Sequence, residues 1–186
     1  MNPTNVNDFL LRTATLRDVV VLHTLVNSAY RGASSRAGWT TEADLLGGQR
    51  TDERALGDFI ARASQSNDRA MLVCERIGKA TIDACVQLER RDDAAYLGML
   101  TVRPSLQGGG IGQFLLTGAE RFVAQTWSAK AVIMTVIEQR HELIAWYERR
   151  GYLRTGETAP FPYGDARFGE PKRPDLRFVV LRKALS

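Results

Sequence analysis

The stretch that most constrains this chain runs from Leu97 to Gly112: Leu-Gly-Met-Leu-Thr-Val-Arg-Pro-Ser-Leu-Gln-Gly-Gly-Gly-Ile-Gly. An apolar, strand-like run ends at Pro104, which has no N–H for a ladder and forces a turn. Gly108, Gly109, Gly110 and Gly112 follow, and then Phe114, Leu115, Leu116, Ala119, Phe122 and Val123 recur at helical spacing. The order is strand, glycine turn, helix. Glycines let backbone amides approach a ligand with no Cβ between them. A helix start adds unpaired N–H groups and the positive end of a dipole, so the segment reads as an anion seat suited to phosphates.

Phosphate-binding motifs of this kind differ in spacing. A P-loop ends in Gly-Lys-Ser/Thr, but Gly112 is followed by Gln113 and Phe114. A dinucleotide fingerprint needs a third glycine three residues after the second, and neither register supplies one: Gln113 or Leu115 stands there. What fits is Gln-x-x-Gly-x-Gly at Gln107, Gly110 and Gly112, preceded by Val-x-Pro at Val102 and Pro104. Further on, Tyr147 is followed four residues later by Gly151 and then by Tyr152. Together these resemble the two signatures of the GNAT superfamily of acetyl-coenzyme A-dependent N-acetyltransferases, and the resemblance extends from about Phe9 to Lys183.

Composition agrees with such a chain. At 186 residues it is expected to form a single GNAT-like domain over residues 1–186, large enough for one core without staples. No apolar run approaches the roughly 18–20 residues of a membrane span. The polar start of the sequence lacks a secretory pattern, and the two cysteines, Cys74 and Cys85, lie in apolar runs without metal-ligand spacing. These features point to a reducing, cytoplasmic setting with no membrane contact. The net charge of +4 comes from scattered Lys and Arg, with no stripe for nucleic acid. No metal is expected, and a homodimer is left open.

Along the chain, Phe9–Arg12 reads as a first strand, Thr15 with Asp18 as a capping pair, and Val19, Leu22, Val26 and Ala29 as the inner stripe of a helix. Residues 30–50 are irregular, with Thr41 and Asp44 able to cap a short turn. Thr51 is the expected cap of a helix buried through Leu56, Phe59 and Ile60. Strands over 70–77, 80–89 and 96–102 form a meander into the glycine turn. Ala131–Ile137 has the apolar, β-branched character of a strand covered on both faces, and a right-handed crossover makes it parallel to 97–102. A helix near 142–150 is closed by Gly151. The segment 159–175, rich in Pro, Gly and aromatics, reads as a packed loop near the cleft, and 176–183 as the last strand. The fold class is α+β: a mixed, mostly antiparallel sheet of six to seven strands with helices on both faces.

The resemblance implies acetyl transfer from acetyl-CoA, as co-substrate, to a primary amine of a small molecule or peptide by direct attack in a ternary complex. It places the cofactor on Leu100, Thr101 and Val102, whose main chain would pair with the pantetheine, and on Gln107, Gly108, Gly109, Gly110, Ile111, Gly112 and Gln113, whose amides would hold the pyrophosphate. It makes Tyr147 the general acid for the departing sulfur. Histone-acetylating relatives carry a base glutamate on the preceding strand, but counting back from Gln107 puts Tyr96 there. Glu142 is then the candidate base, with Glu75, Glu89, Glu138 and His141 also near by topology. Candidate acceptor contacts are Tyr30, Arg31, Trp39, Glu42, Arg140 and Phe161. Arg140 stands where many relatives have Asn, and a cation there hints at a carboxylate-bearing acceptor. A GNAT-like module that binds acyl-CoA without turnover is the alternative.

Overall fold

A computed structural model describes residues 6–185. Its elements follow in the order β1 (Phe9–Thr13), α1 (Val19–Tyr30), α2 (Gly32–Ser35), β2 (Leu46–Gly47), α3 (Glu53–Gln65), β3 (Arg69–Arg76), β4 (Thr81–Arg91), β5 (Ala94–Val102), α4 (Ile111–Trp127), β6 (Ala131–Ile137), α5 (His141–Glu148), β7 (Leu153–Pro160), β8 (Glu170–Pro171) and β9 (Arg177–Ala184). Seven strands form one sheet in the order β1-β3-β4-β5-β6-β9-β7. The β5–β6 pair is parallel and the other pairs are antiparallel.

The alternation of side chains along β3 and β4 explains why the sheet is covered twice. Leu72, Cys74, Ala84, Val86 and Leu88 pack with Leu115, Leu116, Ala119 and Val123 of α4. Their neighbours Met71, Val73, Ile82 and Cys85 face the other way, into Leu22, Leu25 and Val26 of α1 and Leu56 and Ile60 of α3. Successive residues of a strand point to opposite faces, so a continuously apolar strand needs a layer on each.

Several local expectations meet a different outcome. Asp52 caps α3, its Oδ1 accepting from the Ala55 N–H at 2.7 Å, so the cap lies one residue beyond Thr51. Thr41 accepts from the Ala43 N–H within an isolated turn and caps no helix. Asp44 instead pairs with Arg36. The 153–160 segment is a strand, β7, on the sheet edge beside β9. The 159–175 loop contributes β8, which pairs with β2 through Leu46↔Pro171 and Gly47↔Glu170.

The cleft arises where two parallel strands part. β5 and β6 pair only at Ala94↔Ala131, Ala95↔Val132 and Tyr96↔Ile133. Beyond Tyr96, β5 carries a bulge: Cys85 of β4 faces Thr101 while Gln87 faces Gly98, leaving an extra residue on β5. Met99 takes φ 52°, a left-handed conformation that bends the strand. The two strands therefore present unpaired edges to a gap between them, flanked by α4, α5 and the 159–175 segment.

Candidate active site

The turn after β5 is built around Gln107. Its Oε1 accepts from the Trp39 N–H (2.9 Å) and the Thr40 N–H (3.3 Å), and its Nε2 donates to the Val102 carbonyl (3.0 Å) and Thr40 Oγ1 (2.8 Å). The side chain thus clamps the 39–40 loop to the end of β5, leaving the backbone that follows free to serve a ligand. Gly110, at φ 86°, is the left-handed N-cap of α4, a conformation that glycine adopts without steric cost. The first intrahelical bond runs from the Phe114 N–H to the Gly110 carbonyl. Amides from Gly108 to Gln113 find no acceptor among the described residues. Of this run Gly108, Gly110, Gly112 and Gln113 line a groove of about 620 Å³.

Trp146 and Arg150 form the far wall of that groove. The Arg150 guanidinium lies 3.7 Å from the Trp146 ring centroid, and its Nη1 donates to the Trp146 carbonyl at 2.8 Å. Arg149 stands beside it, so the groove combines a cationic rim with a run of free amides. A diphosphate fits that donor set on charge and hydrogen-bonding grounds.

A second, smaller cavity of about 110 Å³ opens between the separated halves of β5 and β6. Leu100, Arg140 and Leu143 border both cavities, so the groove and the chamber meet at the β5 bulge. Tyr30 donates its hydroxyl to the Leu100 carbonyl at 2.9 Å and fixes that bulge. Tyr96 pairs with Thr135 Oγ1 at 2.8 Å across the parting strands.

Glu42 lies at the centre of the chamber's charges. It is 6 % exposed and accepts from both Arg31 and Arg140, the latter at 2.6 Å. The other terminal nitrogen of Arg140 donates to the Thr40 carbonyl at 2.6 Å. Burial works against ionisation of Glu42, but Arg140, Arg31 and Arg50 outweigh it and hold the carboxyl below its ordinary range. Burial dominates at Tyr147, with Tyr30 adding to it, and pushes the phenol well above the ordinary value of 10.0. Its hydroxyl has no hydrogen-bond partner among the described residues, although the ring is 5 % exposed. It is a protonated donor with nothing yet to donate to.

The sequence-derived candidates divide between the two cavities. Leu100, Val102, Gln107, Gly108, Gly110, Gly112 and Gln113 line the groove, while Gly109 sits in the turn off its wall. The side chains of Thr101 and Ile111 are buried, Ile111 in the core, so those residues offer the groove only main chain. Tyr30, Arg31, Glu42, Arg140, Phe161 and Tyr147 converge on the chamber. Trp39 lines the groove instead, 6.3 Å from Trp146.

Glu142 does not reach the chamber. It is exposed in the first turn of α5 and borders the groove, whereas Leu143 and Tyr147, four residues apart, share the inward face. Glu75 is paired with Arg12 on β3, and Glu138 with Arg177 outside the chamber. Glu89 and His141 also lie outside its lining, so the chamber's one carboxylate is the doubly paired Glu42. Reading the sequence missed Arg50, Thr135 and Phe178, all chamber residues, whereas Phe168 belongs to the aromatic 159–175 segment expected near the cleft. Only the aromatics of the 159–175 segment carried a signal. Among the described residues no group of three or more His, Cys, Asp or Glu could hold a metal ion.

The family model described as "Acetyltransferase (GNAT) family" matches residues 37–152. The chain belongs to the GNAT acetyltransferase family. A search of curated proteins gives no match. Solved structures share the GNAT fold at low identity. The PaiA N-acetyltransferase from Thermoplasma acidophilum in complex with coenzyme A superposes with TM-score 0.67 at 15% identity, covering 95% of this chain and 99% of that one. The spermidine/spermine N-acetyltransferase SpeG from Vibrio cholerae, in complex with manganese ions, gives 0.67 at 14%, covering 96% and 94%. The ribosomal-protein-S18-alanine N-acetyltransferase from Escherichia coli gives 0.66 at 14%, again covering 96% and 94%. The expected GNAT architecture, an α+β fold on a mostly antiparallel seven-stranded sheet, is therefore the observed one. Among the described residues no helix is long and apolar enough to cross a membrane.

Proposed function

We propose that this GNAT acetyltransferase moves an acetyl group from acetyl-CoA to a primary amine by direct attack in a ternary complex. The observation that carries the reading is the run of acceptorless amides from Gly108 to Gln113 opening on a groove that meets a separate chamber at Leu100. In this reading the amides and the Arg149–Arg150 rim bind the pyrophosphate. The main chain of residues 100–102 receives the pantetheine as an added strand on the open edge of β5. The thioester then lies at the bulge, where a backbone N–H near Leu100 polarises its carbonyl.

Tyr147 protonates the departing sulfur, since burial keeps its phenol neutral and its hydroxyl is uncommitted. No chamber carboxylate acts as base, because two guanidiniums hold Glu42 ionised and weakly basic. Three guanidiniums around one carboxylate instead lower the pKa of an entering amine, so more of it is uncharged near neutrality. The proton lost by the attacking nitrogen replaces the one Tyr147 gives to sulfur, so the phenol is restored by the end of the turnover.

The test is thiol release from acetyl-CoA across a panel of amines, paired with thermal shift. Saturation with acetyl-CoA at about a hundred times Kd should stabilise the protein by about 2.7 kcal/mol. Amine-dependent thiol release supports transfer. Stabilisation with no release for any amine would favour the binding module, and no stabilisation would overturn the cofactor site.

A further inference from the structure

The chamber's charge count is unbalanced. Its charged lining residues are Arg31, Arg50, Arg140 and Glu42, three cations and one anion. Glu42 is shared between Arg31 and Arg140. Arg31 also donates to the Tyr30 and Phe168 carbonyls, and Arg140 to the Thr40 carbonyl. Both guanidiniums spend their terminal nitrogens on protein acceptors, and Arg31 keeps only its buried Nε without a partner among the described residues. Arg140, which the sequence offered as a carboxylate-binding residue, is therefore already occupied.

Arg50 is different. Its backbone N–H donates to Asn27 Oδ1 at 2.7 Å, and Asn27 Nδ2 donates onward to the Thr51 carbonyl at 2.9 Å, so the residue is pinned to α1. Its guanidinium makes no hydrogen bond or ion pair among the described residues and rests over the Tyr30 ring, 5.6 Å from the centroid. Arg140 lies 5.7 Å from the same ring. The Tyr30 hydroxyl in turn holds the Leu100 carbonyl at the junction with the groove. An anion on Arg50 thus sits one tyrosine away from the reacting position. Part of the chamber wall is an apolar patch: Phe161, Phe168 and Phe178 form a ring cluster with centroids 5.6–6.4 Å apart.

We propose that the acceptor is an amino-acid-like amine, carrying a carboxylate that Arg50 receives and an apolar group that packs on the phenylalanine cluster. This rests on the acetyl-transfer reading above. A carboxylate offsets part of the surplus positive charge, and Arg50 can bind it through two parallel N–H bonds, a geometry guanidinium alone among side chains provides. A polyamine does the opposite, adding cations to a chamber that already has two in excess. The amine, adjacent to the carboxylate, then faces Leu100.

The experiment compares leucine and phenylalanine with leucinamide, phenylalaninamide, phenethylamine and spermidine, in thiol-release assays with the wild type, Arg50→Gln and Arg50→Lys. Expected is a preference for the acids over their amides of at least about 10-fold in kcat/KM, within the 10–150-fold carried by a hydrogen bond to a charged group. Arg50→Gln should abolish that preference by raising KM for the acids, with KM for acetyl-CoA unchanged, and Arg50→Lys should restore part of it. Preference for spermidine or the neutral amines overturns the proposal. So does an equal loss for acids and amides in Arg50→Gln, which is what a purely structural Arg50 would give. Should no amine be turned over, the same pairs are titrated calorimetrically into the CoA-saturated protein. Acid-selective binding abolished in Arg50→Gln upholds the carboxylate site while the transfer reading fails; indifference to the carboxylate overturns it.

Discussion

Replacing Glu42 with Gln tests whether the chamber's ion network is truly shielded from water. The substitution keeps the side chain's volume and one acceptor oxygen, but it removes the negative charge that two guanidiniums share. The side chains of Glu42, Arg31 and Arg140 are 7 %, 5 % and 9 % exposed. In so dry a site, deleting one partner leaves charge uncompensated and costs about 3–5 kcal/mol; a solvated pair would cost about 0–1 kcal/mol. At about 2–4 °C per kcal/mol for a chain of this size, Tm should fall by about 6–20 °C. Urea unfolding followed by tryptophan fluorescence and circular dichroism gives the free energy directly. Adding Arg140→Gln removes one of the two stranded cations, so the double variant should lose about 0.5–3 kcal/mol less than the sum of the singles. The pH dependence has a fixed sign. The folded-state pKa of Glu42 lies below its ordinary 4.5, so its contribution is complete above that value and is lost as pH falls through the folded pKa. The gap between wild type and variant should therefore persist from neutral pH down to about 4.5 and close in stronger acid. A gap under about 1 kcal/mol at pH 7, or one that widens in acid, refutes the shielded network.

Tyr147→Phe should lower kcat by about 10²–10⁴ while leaving KM for acetyl-CoA unchanged; because the hydroxyl has no partner among the described residues, urea stability should move by less than about 0.5 kcal/mol. Gly110→Ala places a Cβ on a residue at φ 86°, with Val6 Cγ1 3.5 Å away, and should cost about 1–2 kcal/mol and raise KM for acetyl-CoA, read by denaturation and thiol release. The rate should climb with pH as the acceptor amine deprotonates and show no falling limb below about pH 10, since the folded-state pKa of Tyr147 lies above its ordinary 10.0. Cys74 and Cys85 are buried with thiol pKa values pushed up to about 12, so a thiol reagent at pH 8 should label neither until urea unfolds the chain.

What the sequence revealed and what it hid divide along the range of the interactions involved. The glycine turn, α4 and the β6 strand Ala131–Ile137 were readable because their determinants are local: a proline stop, glycines at positive φ, and periodic apolar residues. Strand β7 was not, because almost all its residues are exposed. Edge pairing with β9 carries it, and Leu-Arg-Thr-Gly-Glu-Thr has no inward-facing alternation to betray that. The same distinction governs the site. The groove beside the glycine turn depends on consecutive backbone amides, so a motif announces it. The chamber is assembled from residues as distant as Glu42 and Arg140, and its charge is a sum over them. A lone Arg140 suggested a carboxylate ligand from outside the protein, but the protein's own Glu42 already supplies one. The cation whose guanidinium makes no hydrogen bond among the described residues is instead Arg50, in a loop whose Gly-Gly-Gln-Arg-Thr sequence has no motif value at all. The charge balance of such a chamber is thus set by which ion pairs are left incomplete, and only side-chain placement can show that.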